Sequence, residues 1–464
     1  MFDEATFRWA FALRQRWQDL RSSFWFVPAI LVSGAVLLAT ILVGVDASVE
    51  LHVIKRWPLF FGAGAEGARG LLTAVAGSMI TVAGVVFSIT IVALSLTSSQ
   101  YTSRVLRNFM RDRVNQAVLG VFVGIFAYCL VVLRVIRGGD EGAFVPSLAV
   151  LAGLLLAFVG IAFLIYFIHH IALSIQASNI IATVASETIA AIDRLFPEGL
   201  GEEADDDFDE ELRQTGHQQE WTPVPALTTG YIEGVDGDTL LAFARENNRL
   251  VRMERGIGEF VVEGTSLMSI TACPDLDDET ARMLNAAFVI GRQRTIHQDA
   301  GFGVRQIVDI ALKALSPGIN DSTTAAMCVD HLSAILVRLA PRRMSTAHRL
   351  EDGELRVIAR GPTFDSLLSE SFDQIRQNSA GNVAVLTRLI QAMETVASAA
   401  RRVQRRQALR RQAELVRAIA ERTVPAVEIA GINQALIRLA AVLEGSAPRS
   451  ESSQIERRTG TENR

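Results

Sequence analysis

The chain has 464 residues, of which 50% are hydrophobic and 20% are charged, with a mean hydropathy of +0.28. The hydrophobic content excludes an ordinary soluble protein throughout, and the charged fraction excludes a chain that lies wholly in a membrane. The net charge of −5 gives no support for nucleic-acid binding, and three cysteines without paired spacing argue against a disulfide framework or a zinc site. A membrane block joined to water-soluble domains is therefore expected.

Residues 1–22 are predicted to form an interfacial helix that precedes the membrane block. The large apolar residues that recur at helical spacing between arginines are Trp9, Leu13, Trp17 and Leu20. This pattern is typical of a helix that lies on a membrane surface. It also fits a helix that packs on a soluble domain, so both interpretations stay open. The stretch contains no cleavable apolar core, and we predict no secretory signal peptide.

Residues 23–168 are predicted to form a domain of four transmembrane helices. The apolar windows cover residues 24–45, 71–99, 114–133 and 145–168. Each window has about 20 residues or more, which is enough to cross a hydrocarbon core of about 30 Å. Arginines are more frequent before the first window and after the second than in the other loops. The positive-inside rule therefore places both termini in the cytoplasm of a bacterial inner-membrane protein.

The second window carries a face of small and hydroxylated residues. Positions spaced by three, four or seven share this side of the helix, and they are Gly77, Thr81, Gly84, Ser88, Ser95 and Ser99. Val92 interrupts the face. Such a face allows close packing between helices. It can also line the pore of a symmetric homo-oligomer, with an apolar ring at Val92 that closes the path by excluding water. The two interpretations are compatible, and both stay open.

Three arginines follow this face on one side of the continuing helix, and they are Arg104, Arg107 and Arg111. A basic cluster at the end of a span can contact anionic lipid head groups. Around a pore mouth, the same cluster would concentrate anions and repel cations. The second interpretation makes a small anion the candidate partner.

Residues 169–197 are predicted to continue the fourth span as a helical stalk, which Pro197 ends. His169 and His170 are adjacent, so they point about 100° apart on a helix. This arrangement favours packing at the membrane interface over a metal site. Residues 198–222 are rich in aspartate and glutamate, which predicts a solvated linker.

Residues 223–273 are predicted to form a small all-β module, because short apolar alternations are broken by glycines. The pattern resembles the barrel-sandwich hybrid of lipoyl domains and efflux adaptor proteins. Residues 230–270 contain no lysine, which excludes a lipoylated or biotinylated arm. We therefore expect a structural or docking module without a cofactor.

Residues 274–444 are predicted to form a mainly helical cytoplasmic domain, and residues 445–464 a disordered tail. The first helix of this domain is expected over residues 277–295. A short strand is expected at residues 354–361, ELRVIARG. The basic run RRVQRRQALRR (401–411) favours a solvated helix face that pairs with acidic surfaces.

The stretch SPGINDSTTA (316–325) lies between two predicted helices of this domain. Pro317 and Gly318 cannot continue the first helix. Asn320 or Asp321 is a favoured N-cap for the second helix. A helix N-terminus of this kind can bind an anion, but an aspartate at the cap would occupy that site itself.

The same region carries the polar residues that we predict to act together, namely His297, Asp299, Arg305, Asn320, Asp321, Ser322 and Thr323. A buried structural cluster is the leading interpretation. A regulatory ligand site is the second. Acid–base catalysis by His297 with Asp299 is the third.

The four spans, together with QYTSRVLRNFMRD, GYIEGVDGDTLLAFA and HQDAGFGVRQIVDIALKALSPGINDSTTA, resemble a bacterial family of predicted four-span membrane proteins of unknown function. The resemblance covers about residues 20–440. It implies a Pro-Phe pair in relatives where this chain has Ser322-Thr323. A proline at that first helical position supports Asp321 as the N-cap. The resemblance implies no substrate or reaction.

Two classes of function follow from these predictions. No nucleotide-binding, zinc-protease, serine-hydrolase or paired-cysteine motif occurs, so no enzyme is expected. The first class is an oligomeric channel whose second span lines the path, with a preference for anions and a cytoplasmic regulatory domain. The second class is a membrane-anchored scaffold or signalling protein whose cytoplasmic domain binds a ligand or partner.

Overall fold

The computed structural model describes residues 25–48, 64–100, 112–138, 144–196, 220–271, 276–296, 298–342, 344, 348–351 and 354–445. The chain divides into two compact units, Met1–Asn179 and Ile180–Arg464. Several predictions concern residues outside the described ranges, namely the interfacial helix, most of the acidic linker, the tail beyond Gly445, the three arginines of the predicted pore mouth and His297.

The first unit contains four helices that are long and apolar enough to cross a membrane, which confirms the four predicted spans as apolar helices. They are α1 (Phe26–Ser48), α2 (Ala65–Gln100), α3 (Arg113–Val135) and α4 (Ser147–Ser174). Helix α3 is the most buried of the four, because it packs against α1, α2 and α4. Gly120 allows α1 to approach its backbone, since a Cβ there would lie 2.9 Å from the Cα of Pro28.

Polar contacts join the helices at the end of the bundle where α1 and α3 finish. The Tyr128 hydroxyl donates to the carbonyl of Ala149 at 2.7 Å. Asp46 accepts from the amides of Leu148 and Ala149, at 3.3 and 3.1 Å. Arg69 donates to the carbonyl of Ile136 at 2.7 Å. The bonds to the amides of Leu148 and Ala149 and to the carbonyl of Ile136 satisfy backbone groups that a helix end leaves without intrahelical partners.

The predicted stalk is helical but interrupted. Helix α4 ends at Ser174, and α5 (Ala177–Leu195) begins after a break at Ile175 and Gln176. The apolar side of α5 is buried, through Ile180, Ile181, Val184, Ala185, Ala191 and Ile192. Most of the segment therefore belongs to the core of the second unit and is not a free-standing stalk.

Two sheets occur among the described residues of the second unit. The strands are β1 (Trp221–Pro225), β2 (Gly230–Val235), β3 (Val251–Met253), β4 (Phe260–Val261), β5 (Ser266–Thr271), β6 (Phe288–Gly291), β7 (His348–Glu351) and β8 (Glu354–Ile358). One sheet has the order β1-β5-β3-β8-β7 and the other the order β4-β2-β6. The β3–β8 pair is parallel, and the other pairs are antiparallel.

The all-β prediction for this module is wrong, because α6 (Gly237–Glu246) lies inside it. Asp236 caps this helix by accepting from the Thr239 amide, and Leu240, Phe243 and Ala244 bury one side at helical spacing. The predicted short strand is confirmed as β8. Because β7 and β8 follow much later in the chain, the module is completed by residues from the predicted helical domain.

The helix predicted over residues 277–295 is shorter than expected. Helix α7 (Asp278–Ala286) ends early, and Phe288–Gly291 forms β6 beside β2. The run FVIG contains aromatic and β-branched residues that suit a half-buried strand. Pairing with β2 therefore makes Phe288–Gly291 a strand and not the continuation of the helix.

The remaining helices form a packed layer around α8. They are α8 (Ala300–Ala314), α9 (Ser322–Leu339), α10 (Phe364–Asn378), α11 (Val383–Ala399), α12 (Val403–Thr423) and α13 (Ile429–Glu444). Helix α8 packs against α9 and α10, and α9 packs against α11. A Cβ on Gly303 of α8 would lie 1.9 Å from the Thr188 hydroxyl oxygen of α5. The absence of a side chain therefore lets α5 approach the backbone of α8.

The basic run 401–411 is only partly a solvated face. Arg411 fits that prediction, because it pairs with Asp365 at 2.8 Å. Arg405 does not, because it is buried and donates to the carbonyls of Ala340 and Arg342 beyond the end of α9. Burial lowers the pKa of Arg405 to about 10, and a neighbouring arginine adds to the effect. This side chain caps a helix end.

Candidate functional site

Helix α2 has two opposite faces. Its buried face meets the other membrane helices and consists of Ala68, Leu72, Ala76, Met79, Ala83, Val86 and Ala93. On the opposite side, the small-residue face consists of Gly77, Thr81, Gly84, Ser88, Val92 and Ser95, which are all exposed in a single chain. Val92 is 55% exposed. The Ser99 side chain lies outside the described residues, although its backbone belongs to α2.

Among the described residues of the first unit, no helix fills the small-residue face. A Cβ on Gly77 or Gly84 would meet no atom within 4 Å. The Thr81 hydroxyl donates to the carbonyl of Gly77 at 2.8 Å, so its hydrogen bond is made within the helix. Close packing against the described helices of this unit therefore does not explain these residues. Packing between copies, contact with water and contact with lipid remain as explanations.

The outward surface of α4 has a different composition. It exposes large apolar side chains, namely Leu155, Phe158, Val159, Ile161, Ile165 and Ile168. Such side chains suit contact with lipid, whereas small residues are enriched where membrane helices meet. Large apolar residues, including Ile80 and Phe87, also flank the small-residue face on α2. The small-residue face is therefore a narrow stripe between two surfaces that suit lipid.

The length of α2 exceeds what a single crossing requires. Its 36 residues extend about 54 Å at about 1.5 Å per residue, against a hydrocarbon core of about 30 Å. A groove of about 340 Å³ lies beside α2, lined by Ala74, Ser78, Val82, Phe122, Gly160 and Leu164. Its lining is almost wholly apolar. This groove therefore offers no aqueous path through a single chain.

In the second unit, Asp299 holds the start of α8. Its Oδ1 accepts from the Phe302 amide at 3.0 Å, and its Oδ2 accepts from Arg294 Nε at 2.7 Å. The carboxylate is only 8% exposed. Gly258 adopts a positive φ of 85° directly against it, where a Cβ would lie 2.3 Å from Oδ2. Asp299 is therefore a buried helix cap with a paired charge.

Two further charged groups lie near this cap. Arg305 pairs with Asp309 one turn along α8, at 3.0 Å. Glu370 of α10 packs beside Gly301, and burial raises the pKa of its carboxyl while Arg294 opposes the shift. Sequence reasoning missed Glu370, because this residue belongs to a distant helix with an ordinary amphipathic pattern. No group of three metal-ligating side chains occurs in the part of the chain that the structure describes.

The motif residues around Asp321 lie at the other end of α8. Asp321 caps α9 by accepting from the Thr324 amide at 3.0 Å, which confirms the predicted N-cap. The hydrogen bond from the Thr324 hydroxyl lowers the pKa of Asp321 the most, and the hydrogen bond from the Thr324 amide lowers it further. Asn320 is exposed, with a positive φ of 51°. Ser322 accepts from the Asn382 side chain at 2.7 Å, and Thr323 is exposed.

The described motif residues do not lie in one cluster. The 15 residues of α8 extend about 22 Å and separate Asp299 from the Asn320 turn. Arg305 lies along α8 and pairs with Asp309. Asp299 and Asp321 each cap a different helix. The residues brought together are Asp299 with Arg294 near Glu370, and Asp321 with Thr324. His297 lies outside the described residues.

The comparisons with known proteins agree with the membrane assignment. A family model described as predicted membrane protein (DUF2254) matches residues 21–395. Two similar proteins are the uncharacterized protein Rv1290c of Mycobacterium tuberculosis and the uncharacterized protein Mb1321c of Mycobacterium bovis. Each is 38% identical over 365 residues, which cover 76% of this chain and 68% of the relative. No solved structure matches the chain.

Proposed function

We propose that this chain, which belongs to the DUF2254 family of predicted membrane proteins, forms an oligomeric channel in a bacterial inner membrane. Copies of α2 surround a shared axis and turn the small-residue face toward water. The observation that supports this proposal is that the face is exposed in a single chain. A surface of glycines and hydroxyls has little to gain from lipid, but it suits a water-filled path.

Val92 is the proposed gate of the path. It is the large apolar residue on the small-residue face, and a ring of such side chains can close a narrow pore by excluding water. The three arginines that follow α2 in the sequence supply positive charge at the proposed cytoplasmic mouth. This charge favours a small anion as the permeant species. The proposed role includes no catalytic step, and the second unit serves as a cytoplasmic regulatory domain.

Anion flux from liposomes that contain the full-length protein tests the proposal. Val92→Ser should raise chloride flux several-fold, because a polar ring holds water where an apolar ring excludes it. Val159→Ser is the matched control, since Val159 is exposed on the outward side of α4. This control should leave flux unchanged. Equal flux from both variants, or no protein-dependent flux, would contradict the gate.

The arginines at the proposed mouth provide a test of ion preference. Arg104→Glu should lower the ratio of anion to cation flux, because it replaces a charge that attracts anions with one that repels them. The measurement is the reversal potential under a salt gradient across a planar bilayer. An unchanged reversal potential would argue against a selective role for this residue.

A membrane-anchored scaffold is the second candidate, and one observation favours it. Phe260 of β4 and the following Val262 are 49% and 48% exposed in the second unit. Exposed apolar groups beside a strand edge can bind a partner. A monomeric protein without flux would support this candidate over the channel.

A further inference from the structure

A histidine–carboxylate pair joins α3 and α4 at the end of the bundle where α3 begins. The Nε2 atom of His170 lies 2.5 Å from Oδ2 of Asp112. Asp112 is also the N-cap of α3, because its Oδ1 accepts from the Val114 amide at 2.9 Å. Ser174, one turn further along α4, places its hydroxyl 3.3 Å from the same histidine nitrogen. One carboxylate therefore holds both helix ends.

Asn115 lies one turn from Asp112 and has a different environment. Its side chain is 2% exposed, and neither its Nδ2 nor its Oδ1 has a hydrogen-bond partner in the structure as described. Asp112 is the N-cap of α3 and Asn115 is the third residue of that helix, so both belong to the same helix end. A buried amide without partners loses its bonds to water and gains nothing in return. The closed arrangement of this helix end is therefore disfavoured by Asn115.

We propose that His170 and Asp112 form a latch, which holds the first turn of α3 against the last turns of α4 in an arrangement that Asn115 opposes. Release of the latch lets this end of the bundle open and gives the Asn115 amide access to water. The bond between His170 and Asp112 favours the closed helix end, and the buried Asn115 amide favours the open one. Opposing contributions of this kind allow both states to be populated.

The position of the latch gives it a regulatory role. His170 lies four residues before the end of α4, and the break at Ile175 and Gln176 leads into α5 of the second unit. The opposite end of the bundle differs, because Tyr128, Asp46 and Arg69 make the hydrogen bonds described above. Opening should therefore be local to the latch end. This inference does not depend on conduction, since a scaffold could use the same element.

Hydrogen exchange of the full-length protein in detergent, read by mass spectrometry on peptides from α3, tests the latch. His170→Phe keeps an aromatic ring but removes the bond to Asp112, and exchange in the first turns of α3 should accelerate about tenfold. His169→Phe is the matched control, because His169 is exposed and adjacent. It should change exchange less than about twofold.

The opposing variant is Asn115→Leu, which replaces the unpartnered amide with an apolar side chain. The same peptides should then exchange about tenfold more slowly, because the closed state no longer buries an unpaired polar group. Peptides from the opposite end of α3 should not change in any of these variants.

Two results would overturn the latch. The first is equal exchange in His170→Phe and His169→Phe. The second is faster exchange in Asn115→Leu, which would mean that the amide is already hydrogen-bonded to water in the closed state. If His170→Phe does not fold, His170→Leu replaces it, and its exchange should again be about tenfold faster. His170→Gln then serves as a rescue control because glutamine retains a donor. Faster exchange in His170→Leu than in His170→Gln supports the latch, and equal exchange in the two contradicts it.

Discussion

Helices α2 and α8 both contain glycines, but among the described residues only the glycines of α8 lie against another helix. The hydrogen of Gly303 allows Thr188 of α5 to lie where a side chain would stand, whereas Gly77 and Gly84 face open space. In soluble helices a glycine costs about 1 kcal/mol relative to alanine, so it needs a compensating contact. Contacts within one subunit therefore explain the glycines of α8, whereas no described residue of the subunit packs against Gly77 or Gly84 of α2.

The largest predicted effect is at Gly303, the glycine of α8 that packs against Thr188. Gly303→Ala should lower the free energy of unfolding by about 3 kcal/mol, because the new Cβ would overlap Thr188 in a packed core. Thermal unfolding of the full-length protein in detergent measures the change. Gly431→Ala is the matched control, since it lies in α13 of the same unit with open space at its Cβ. Equal unfolding temperatures for the two variants would remove the contrast between packed and open glycines.

The second predicted effect is at Gly84, a glycine of α2 that faces open space. Gly84→Leu has room in a single chain, so the subunit should still fold. If copies meet or line water along this face, the added side chain should reduce oligomer content and lower flux at least about tenfold, equivalent to about 1.4 kcal/mol. Size-exclusion chromatography with light scattering and liposome flux measure the two outcomes.

The matched control for Gly84→Leu is Ala162→Leu on the exposed side of α4. Ala162→Leu should leave both oligomer content and flux unchanged, because a larger apolar residue there only meets lipid. Identical behaviour of the two leucine variants would mean that the outward faces of α2 and α4 are equivalent, and the comparison would fail.

The smallest predicted effect is the loss of the Asp321 N-cap. It tests whether contacts within the chain explain why an aspartate occupies this turn. Asp321→Ala should cost about 1 kcal/mol, the usual value for loss of an N-cap, and hydrogen exchange at the start of α9 measures it. Thr323→Ala, at the exposed neighbour, is the control and should have little effect. If Asp321 instead served only a ligand, its removal would leave exchange in α9 unchanged.

The same cap predicts a dependence on pH. Hydrogen bonds from the Thr324 side chain and amide hold the pKa of Asp321 below its usual value. The cap therefore contributes fully above the unfolded-state pKa of about 4, and its contribution is lost as the pH falls through the lower folded-state pKa. Acidification should speed exchange at the start of α9 in the unmodified protein more than in Asp321→Ala.

Features set by local sequence could be predicted, and features set by distant contacts could not. The four apolar helices and the Asp321 cap depend on neighbouring residues, and both are confirmed. The strand at Phe288–Gly291 needed β2 as a partner, because a short apolar run fits a helix equally well. Arg405 resembles its solvated neighbours in the sequence, yet carbonyls beyond α9 bury it.

The candidate site shows the same division. Helical periodicity was enough to place the small residues of α2 on one face. It could not show whether that face meets its own chain, because a period gives the direction of a side chain and not its neighbour. The exposure of Gly84 and Ser88 therefore came from the structure. The position of Glu370 beside Asp299 and Arg294 likewise depends on α8 and α10 meeting.

A single-particle reconstruction of the full-length protein in a lipid nanodisc would show whether α2 lines an oligomeric pore. We expect several copies around one axis, with Ser88 and Ser95 of every α2 facing a continuous aqueous path and Val92 at its narrowest point. A single copy in the disc, or an assembly in which the small-residue face is covered by lipid, would contradict it.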